Sequence, residues 1–207
     1  MILSIANPST TVYLASGNPG KVREFRQAAA DCGVTVEAIP RFSELPMCVE
    51  DGVTFEENAR KKALHYSRYT DGLVFSDDSG LCVHALGDAP GVHSARFSGP
   101  EATDVTNNTK LLAELQRVGA RDRAAHYVCV IALVRQGGLL GTFEGRADGV
   151  ILDAPRGSGG FGYDPYFFFP PLGKTFAEIT RDKKFKVSHR GEAFRRLLEF
   201  LLHPRQA

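Results

Sequence analysis

No apolar run of the roughly eighteen residues needed to cross a bilayer occurs anywhere in the chain. Charge of one sign is not in excess either. The 25 lysines and arginines are met by 24 aspartates and glutamates, which excludes the basic field of a nucleic-acid coat or a membrane-surface binder. Charges that matter must therefore act locally. Cysteine is sparse, with 4 in the chain. Cys32, Cys48, Cys82 and Cys129 form no C-x-x-C pair, so they are expected to be reduced structural thiols of a cytoplasmic protein, not disulfides or zinc ligands. Met1–Thr10 lacks a basic start and a continuous apolar core. It is read as a short N-terminal extension, not a signal peptide, leaving 11–207 as a single domain. The 207 residues suffice for one sizeable core or two lobes sharing a sheet, and there is no internal repeat.

What is present centres on Val74–Val83, V-F-S-D-D-S-G-L-C-V. Two apolar runs, 73–75 and 81–83, read as short buried strands. Between them Ser76, Asp77, Asp78, Ser79 and Gly80 read either as a turn or as an acidic site. Adjacent carboxylates at the end of a buried strand need a cation or a basic side chain to offset their desolvation.

Upstream, a strand at Val12–Ala15 runs into Ser16-Gly17-Asn18-Pro19-Gly20-Lys21 and then a helix through Val22, Phe25 and Ala29. Strand, Gly-rich turn and helix with an early lysine is a layout suited to phosphate. It is not a Walker A loop, whose glycine spacing and Ser/Thr after the lysine are missing. A plain strand-to-helix turn is the alternative. Thr35–Ile39 is expected to be a second strand, followed by a loop carrying Glu44, Glu50 and Asp51. Thr54 starts a helix with Phe55, Ala59, Ala63 and Tyr66 on one face, and Thr54-x-x-Glu57 has the spacing of a capping box. Lys62 borders that apolar face, where a lysine more commonly snorkels than reacts.

Downstream, Gly87–Gly99 is a long Gly/Pro-rich loop, and Thr103–Val118 is expected to be a helix with Val105, Leu111, Leu112 and Leu115 inward. Tyr127–Val134 and Leu139–Gly145 pair as a hairpin about Gln136-Gly137-Gly138, with Val150–Leu152 as a further strand. Gly157–Gly162 formally matches G-x-G-x-x-G, but the aromatic run behind it opens no helix, so a dinucleotide fold is excluded. A glycine-flanked aromatic, Phe161, near Asp164 suits base stacking and base reading; a core Phe beside a flexible loop is the alternative. Ser188 is placed as N-cap of a final helix bearing Phe194, Leu197, Leu198 and Leu201.

Five motifs in this order are specific in combination: Ser16–Lys21, Thr54–Ala59, Asp77–Leu81, Gly159–Pro165 and Ser188-His189-Arg190-Gly191. On them the chain resembles the inosine triphosphate pyrophosphatases, the noncanonical purine NTP pyrophosphatase family, from about Val12 to about Leu202. The resemblance implies an α/β fold, a long bent mixed sheet flanked by helices with two lobes around a nucleotide cleft, in a cytoplasmic homodimer. It implies hydrolysis of ITP, dITP, XTP and dXTP to the monophosphate and pyrophosphate with Mg²⁺. By position, Ser16, Gly17, Asn18, Pro19, Gly20 and Lys21 match the first triphosphate loop. Glu50 and Asp78 match the metal site, Asp78 also the general base, and Lys62 a phosphate-contacting lysine. Ser79, Phe161, Gly162, Tyr163 and Asp164 match substrate positions, with Phe161 stacking and Asp164 reading the base. Lys184, His189 and Arg190 match the remaining nucleotide contacts. The resemblance leaves Glu57 to its cap and raises Lys62. A septum-formation-type pyrophosphatase acting on modified pyrimidine or 7-methyl-guanine nucleotides, a serine hydrolase built on Asp78-Ser79-Gly80 and a non-catalytic nucleotide-binding module are the competing readings.

Overall fold

The computed structural model describes residues 10–30 and 32–203, so the extension assigned to Met1–Thr10 lies outside the described residues except Thr10, which already belongs to the first strand. The strands are β1 (Thr10–Leu14), β2 (Val34–Ala38), β3 (Leu73–Val83), β4 (Ala124–Arg135), β5 (Gly138–Ile151), β6 (Phe167–Phe169) and β7 (Lys174–Thr175). The helices are α1 (Pro19–Ala29), α2 (Phe55–Tyr66), α3 (Asp104–Arg117), α4 (Arg181–Val187) and α5 (His189–Leu202). The strands form one mixed sheet in the order β2-β1-β3-β4-β5-β6-β7. β1 runs parallel to both β2 and β3, while β5, β6 and β7 are antiparallel in succession. The architecture is α/β.

The chain divides into two compact units, residues 10–78, 130–144 and 192–203 in the first and 79–129 and 145–191 in the second. In the first unit Phe25 of α1, Phe75 of β3 and Phe194 of α5 are fully buried against one another, with ring centroids 4.8–6.0 Å apart. Each such ring contributes roughly 1.5–3 kcal/mol by leaving water. A smaller cluster of Ala15, Ile39, Tyr66 and Val74 underlies the loop after β2. In the second unit Leu81, Leu111, Leu115, Tyr127, Phe167 and Phe176 are the centre of the core.

The largest departure from the sequence reading is β3. It is one continuous strand of 11 residues, not two short strands about a turn, and Asp77 and Asp78 sit in its middle. Local Asp/Ser/Gly preference for a turn is overridden because tertiary cations neutralise the carboxylates, as described below. β5 likewise continues through to Ile151 without a break at Gly145. The β4–β5 hairpin turns at Gln136 (φ 49°) and Gly137 (φ 77°), the paired positive φ of a two-residue connection that follows strand twist. On α3, Leu111 and Leu115 are buried but Val105 is 75% exposed. The positions turned inward there are Asn107 and Asn108, which bind backbone instead of filling core. α4 was not anticipated. Ser188 separates it from α5 and accepts from Gly191 N–H at 3.3 Å, the N-cap expected of it.

Candidate functional site

Two groups of the expected residues assemble, one in each unit. In the first unit, α1 starts at Pro19, whose fixed φ and missing N–H suit a first helical position. Asn18 caps it, its Oδ1 accepting from Gly20 N–H (2.8 Å) and Lys21 N–H (3.3 Å). Ser16 Oγ in turn accepts from Asn18 N–H at 3.2 Å. The N–H groups of Gly20 and Lys21, expected to face an anion, are thus taken by Asn18. Lys21 Nζ donates to both oxygens of Asp77, at 2.9 and 2.8 Å. Asp77 is buried, so this bidentate pair is what allows the strand to carry it.

Lys62 of α2 does the same for the next carboxylates. Its Nζ donates to Glu50 Oε2 at 2.8 Å. Burial pulls the Lys62 ammonium down, yet Asp77, Glu50 and Asp78 outweigh it and its pKa lies above the ordinary lysine value. The Asp78 carboxyl is pushed up by burial; Lys62 and a hydrogen bond from Asn58 pull it back only in part, and Glu50 and Asp77 add to the rise. Glu50 and Asp78 offer carboxylate oxygen alone, the ligand chemistry of a hard divalent cation. With Lys62 as shared counter-charge, they fit Mg²⁺.

Asn58, which sequence reasoning quoted without a role, organises this corner. It is buried, its Oδ1 accepts from Gly52 N–H at 2.8 Å, and its amide reaches Asp78. It therefore ties the Glu50-bearing loop to α2 and to β3. An asparagine on the apolar side of a helix, a poor helix former there, was the available signal. Glu57 caps α2 differently from a capping box: Thr54 Oγ1 accepts from Glu57 N–H, but Glu57 Oε2 accepts from Val53 N–H at 2.8 Å instead of from Thr54. Both bonds belong to the start of α2, the position to which the resemblance leaves Glu57.

The second unit holds an aromatic pocket of about 190 Å³. That is below the roughly 300–1,000 Å³ of sites enclosing a whole drug-sized ligand, and matches one flat ring system. Phe161 stands at its edge, 52% exposed, with Lys184 Nζ 4.7 Å and the Arg190 guanidinium 5.7 Å from its ring centre. Asp164 is buried and accepts from Phe161 N–H (3.0 Å) and Lys184 Nζ (2.5 Å). The turn fits tightly around it: Gly160 has φ 73°, and a Cβ there would lie 2.0 Å from Asp164 Oδ2. Asp104 Oδ2 accepts from Gly162 N–H at 2.6 Å. Tyr163 is buried and donates to Ser94 O at 2.8 Å. Burial, then Asp104, push its phenol well up, so it stays a neutral donor. His189 stacks on Tyr127, centroids 4.6 Å apart and planes 10° from parallel. Ser79 Oγ accepts from Arg190 at 3.2 Å. A guanidinium cannot take a proton from a serine, which removes the support for a serine-hydrolase reading.

Asn107 and Asn108 of α3 are the residues missed here. Asn107 Oδ1 accepts from Ser98 N–H and its amide donates to Ser94 O and Ala95 O, while the Asn108 amide donates to Gly162 O at 2.9 Å. They fasten the long Gly/Pro loop and the glycine turn to one helix. Two adjacent asparagines inside a helical pattern carried that message, and apolar periodicity hid it.

The Ham1 family profile matches residues 12–200. A dITP/XTP pyrophosphatase of Desulfotalea psychrophila is 48% identical over 182 residues, 88% of this chain and 81% of that protein. One of Syntrophobacter fumaroxidans is 51% identical over 182 residues, 88% of this chain and 78% of that protein. Among solved structures, a HAM1 protein from Coxiella burnetii superposes with a TM-score of 0.86 at 38% identity, covering 93% of this chain and 98% of its own. With a family profile matched over residues 12–200 and relatives about half identical over most of its length, the chain belongs to the Ham1 family.

Proposed function

We propose that the protein is a nucleoside-triphosphate pyrophosphatase for deaminated purine nucleotides, cleaving ITP, dITP, XTP and dXTP to the monophosphate and pyrophosphate. Relatives named dITP/XTP pyrophosphatase support the reaction class. One observation carries the base preference: both carboxylates lining the pocket are already engaged. Asp164 accepts from Phe161 N–H and Lys184, and Asp104 from Gly162 N–H. The cations Lys184 and Arg190 also line the pocket, with His189 and Arg190 in the first turn of α5, at its positive end. A base with a 6-oxo group brings an acceptor to these donors. Adenine brings an amino donor and leaves them unmatched, and a buried unmatched polar group costs about 1–3 kcal/mol. The 2-amino group of guanine brings a further donor toward these cations, whereas the 2-oxo group of xanthine brings an acceptor.

The carboxylate–lysine group takes the triphosphate. Mg²⁺ held by Glu50 and Asp78 would supply charge neutralisation on the phosphate oxygens. Asp78 orients the attacking water at the α-phosphorus and accepts its proton, a task helped by a carboxyl raised toward neutrality by burial. Lys62 stabilises charge developing on the departing pyrophosphate. Lys21 and the Ser16–Gly20 loop steady the chain of phosphates. As part of the same reading, residues 11–207 act as one domain of a cytoplasmic homodimer, which sedimentation of the purified protein tests.

The deciding experiment is pyrophosphate release with Mg²⁺ across ITP, dITP, XTP, dXTP, GTP and ATP. Sites that reject an analogue by leaving buried polar groups unpaired reach about 10⁴-fold, so kcat/KM for ITP and XTP should far exceed that for ATP and clearly exceed that for GTP. Comparable values for ITP and ATP would refute the reading.

A further inference from the structure

A third cluster of reactive side chains lies in the second unit and takes no part in the chemistry above. His84 follows β3 directly and opens the 3-10 turn His84–Leu86. Gly87 ends that turn at φ 61°, and Asp88 follows at φ 63° with its N–H donating to Val83 O at 3.1 Å. This tight reversal brings the Asp88 carboxylate back to His84. His126 approaches from β4. One ligand atom from each of the three lies within 4.8 Å of the others. His84 Nε2 and His126 Nδ1 are 3.1 Å apart, with the rings at 54°.

Two imidazole nitrogens at that separation share one proton, since one ring must donate and the other accept. Two ligands on a tetrahedral Zn²⁺, each about 2.1 Å from the metal, lie about 3.4 Å apart. The observed pair needs only a few tenths of an ångström to pass from sharing a proton to sharing a metal. His126 is 7% exposed, which fixes one donor, while His84 and Asp88 are open to solvent and leave a path of entry. The cation nearby, Arg146, is paired with Asp148 at 2.8 Å. Two nitrogens and one carboxylate oxygen suit zinc, whereas Mg²⁺ demands oxygen ligands.

We propose that His84, Asp88 and His126 form a Zn²⁺ site, completed by water, separate from the Mg²⁺ ligands and clamping the loop after β3 onto β4. The test uses full-length, tag-free protein stripped of metal, titrated with Zn²⁺ against a chromophoric chelator with no nucleotide or Mg²⁺ present. One Zn²⁺ per chain is expected. At about 100 times the dissociation constant, Zn²⁺ should raise the melting temperature by roughly 5–10 °C. His84→Ala, at an exposed position, should abolish both effects while leaving pyrophosphate release without Zn²⁺ unchanged. Asp88→Asn, which tolerates positive φ, should weaken binding by at least the ~10–100-fold that loss of an outer-shell partner costs. Equal zinc affinity in the wild type and His84→Ala, or no zinc-dependent rise in melting temperature, would overturn the site. So would loss of the stoichiometric zinc in Asp78→Asn with retention in His84→Ala, because that result places the ion among the nucleotide-site carboxylates.

Discussion

Phe161→Ala offers the cleanest dissection of the pocket, because the ring does little for the fold. It is 52% exposed, and its contacts are with the cations of Lys184 and Arg190. Removal of a side chain this exposed should change stability by no more than about 0.5 kcal/mol. Binding is another matter. A Phe buries roughly 150–250 Å² when fully covered, so the half left open here provides roughly 100 Å² for a base to cover. At about 25 cal/mol per Å² that is ~2.5 kcal/mol, or about 70-fold. The figure falls inside the ~1–3 kcal/mol measured for base–aromatic stacking. Every base has a face, so the loss should be shared by all substrates. KM should rise by roughly 10–100-fold for ITP, XTP and GTP alike, with kcat little changed and the ITP-to-ATP ratio of kcat/KM preserved. Steady-state pyrophosphate release on four nucleotides, with a thermal melt of the same preparation, measures all of this. A selective loss for ITP alone would show that Phe161 reads the base instead of supporting it. A melt lowered by many degrees would show that it belongs to the core.

Asp78→Asn should lower kcat by about 10²–10⁴-fold. Its stability should move the other way: a carboxyl whose folded pKa is raised stabilises below its unfolded pKa, and that contribution is lost as pH rises through the folded value. At neutral pH the variant should therefore melt no lower than wild type, and a lower melt would contradict the raised Asp78 carboxyl. For the same reason, the acid limb of kcat/KM against pH, which reports the free enzyme, should fall above the ordinary aspartate value of about 3.9. Glu50→Gln should raise the Mg²⁺ requirement with little loss of stability, whereas Glu57→Gln should do neither, since Gln still accepts from Val53 N–H; the reverse pattern would move the metal role to Glu57. Lys21→Met removes both hydrogen bonds that buried Asp77 accepts from Lys21 and leaves Lys62 as a cation acting on it, a loss of up to about 3–5 kcal/mol. Adding Asp77→Leu should restore much of the melting temperature but not the activity, and an unaffected melt in the single variant would show that the pair is dispensable to the fold.

Much of this was legible in the chain. The Gln136-Gly137-Gly138 hairpin, the helix starts at Thr54 and Thr103, and the Ser188 cap follow from local chemistry, and local chemistry is what a linear reading captures. β3 defeated it because its stability depends on Lys21, 56 residues away from Asp77 in sequence, and on Lys62. Read without those cations, Asp-Asp-Ser-Gly carries the local preferences of a turn. Asn58, Asn107 and Asn108 were passed over for a related reason: their work is to bind backbone of distant loops, and nothing in apolar periodicity signals a polar residue turned inward on purpose. Val105 failed in the opposite sense, being apolar, in phase and exposed. For the site itself, position in the motif nominated the residues, but did not reveal that Lys21 and Asp164 already have partners within the fold.

Gly191 makes the last point. A Cβ at this position would lie 1.6 Å from the Phe185 carbonyl oxygen, so the end of α4 and the start of α5 can approach as they do only with hydrogen there. His189 and Arg190 reach the pocket from that junction. Gly191 does not line the pocket, yet any side chain added to it must push both neighbours off their places. In a library of random variants selected for activity, the wall residues should drift, with Phe161 giving way to other flat rings, while position 191 stays fixed. The least replaceable residue of a binding site can be one that its ligand never meets.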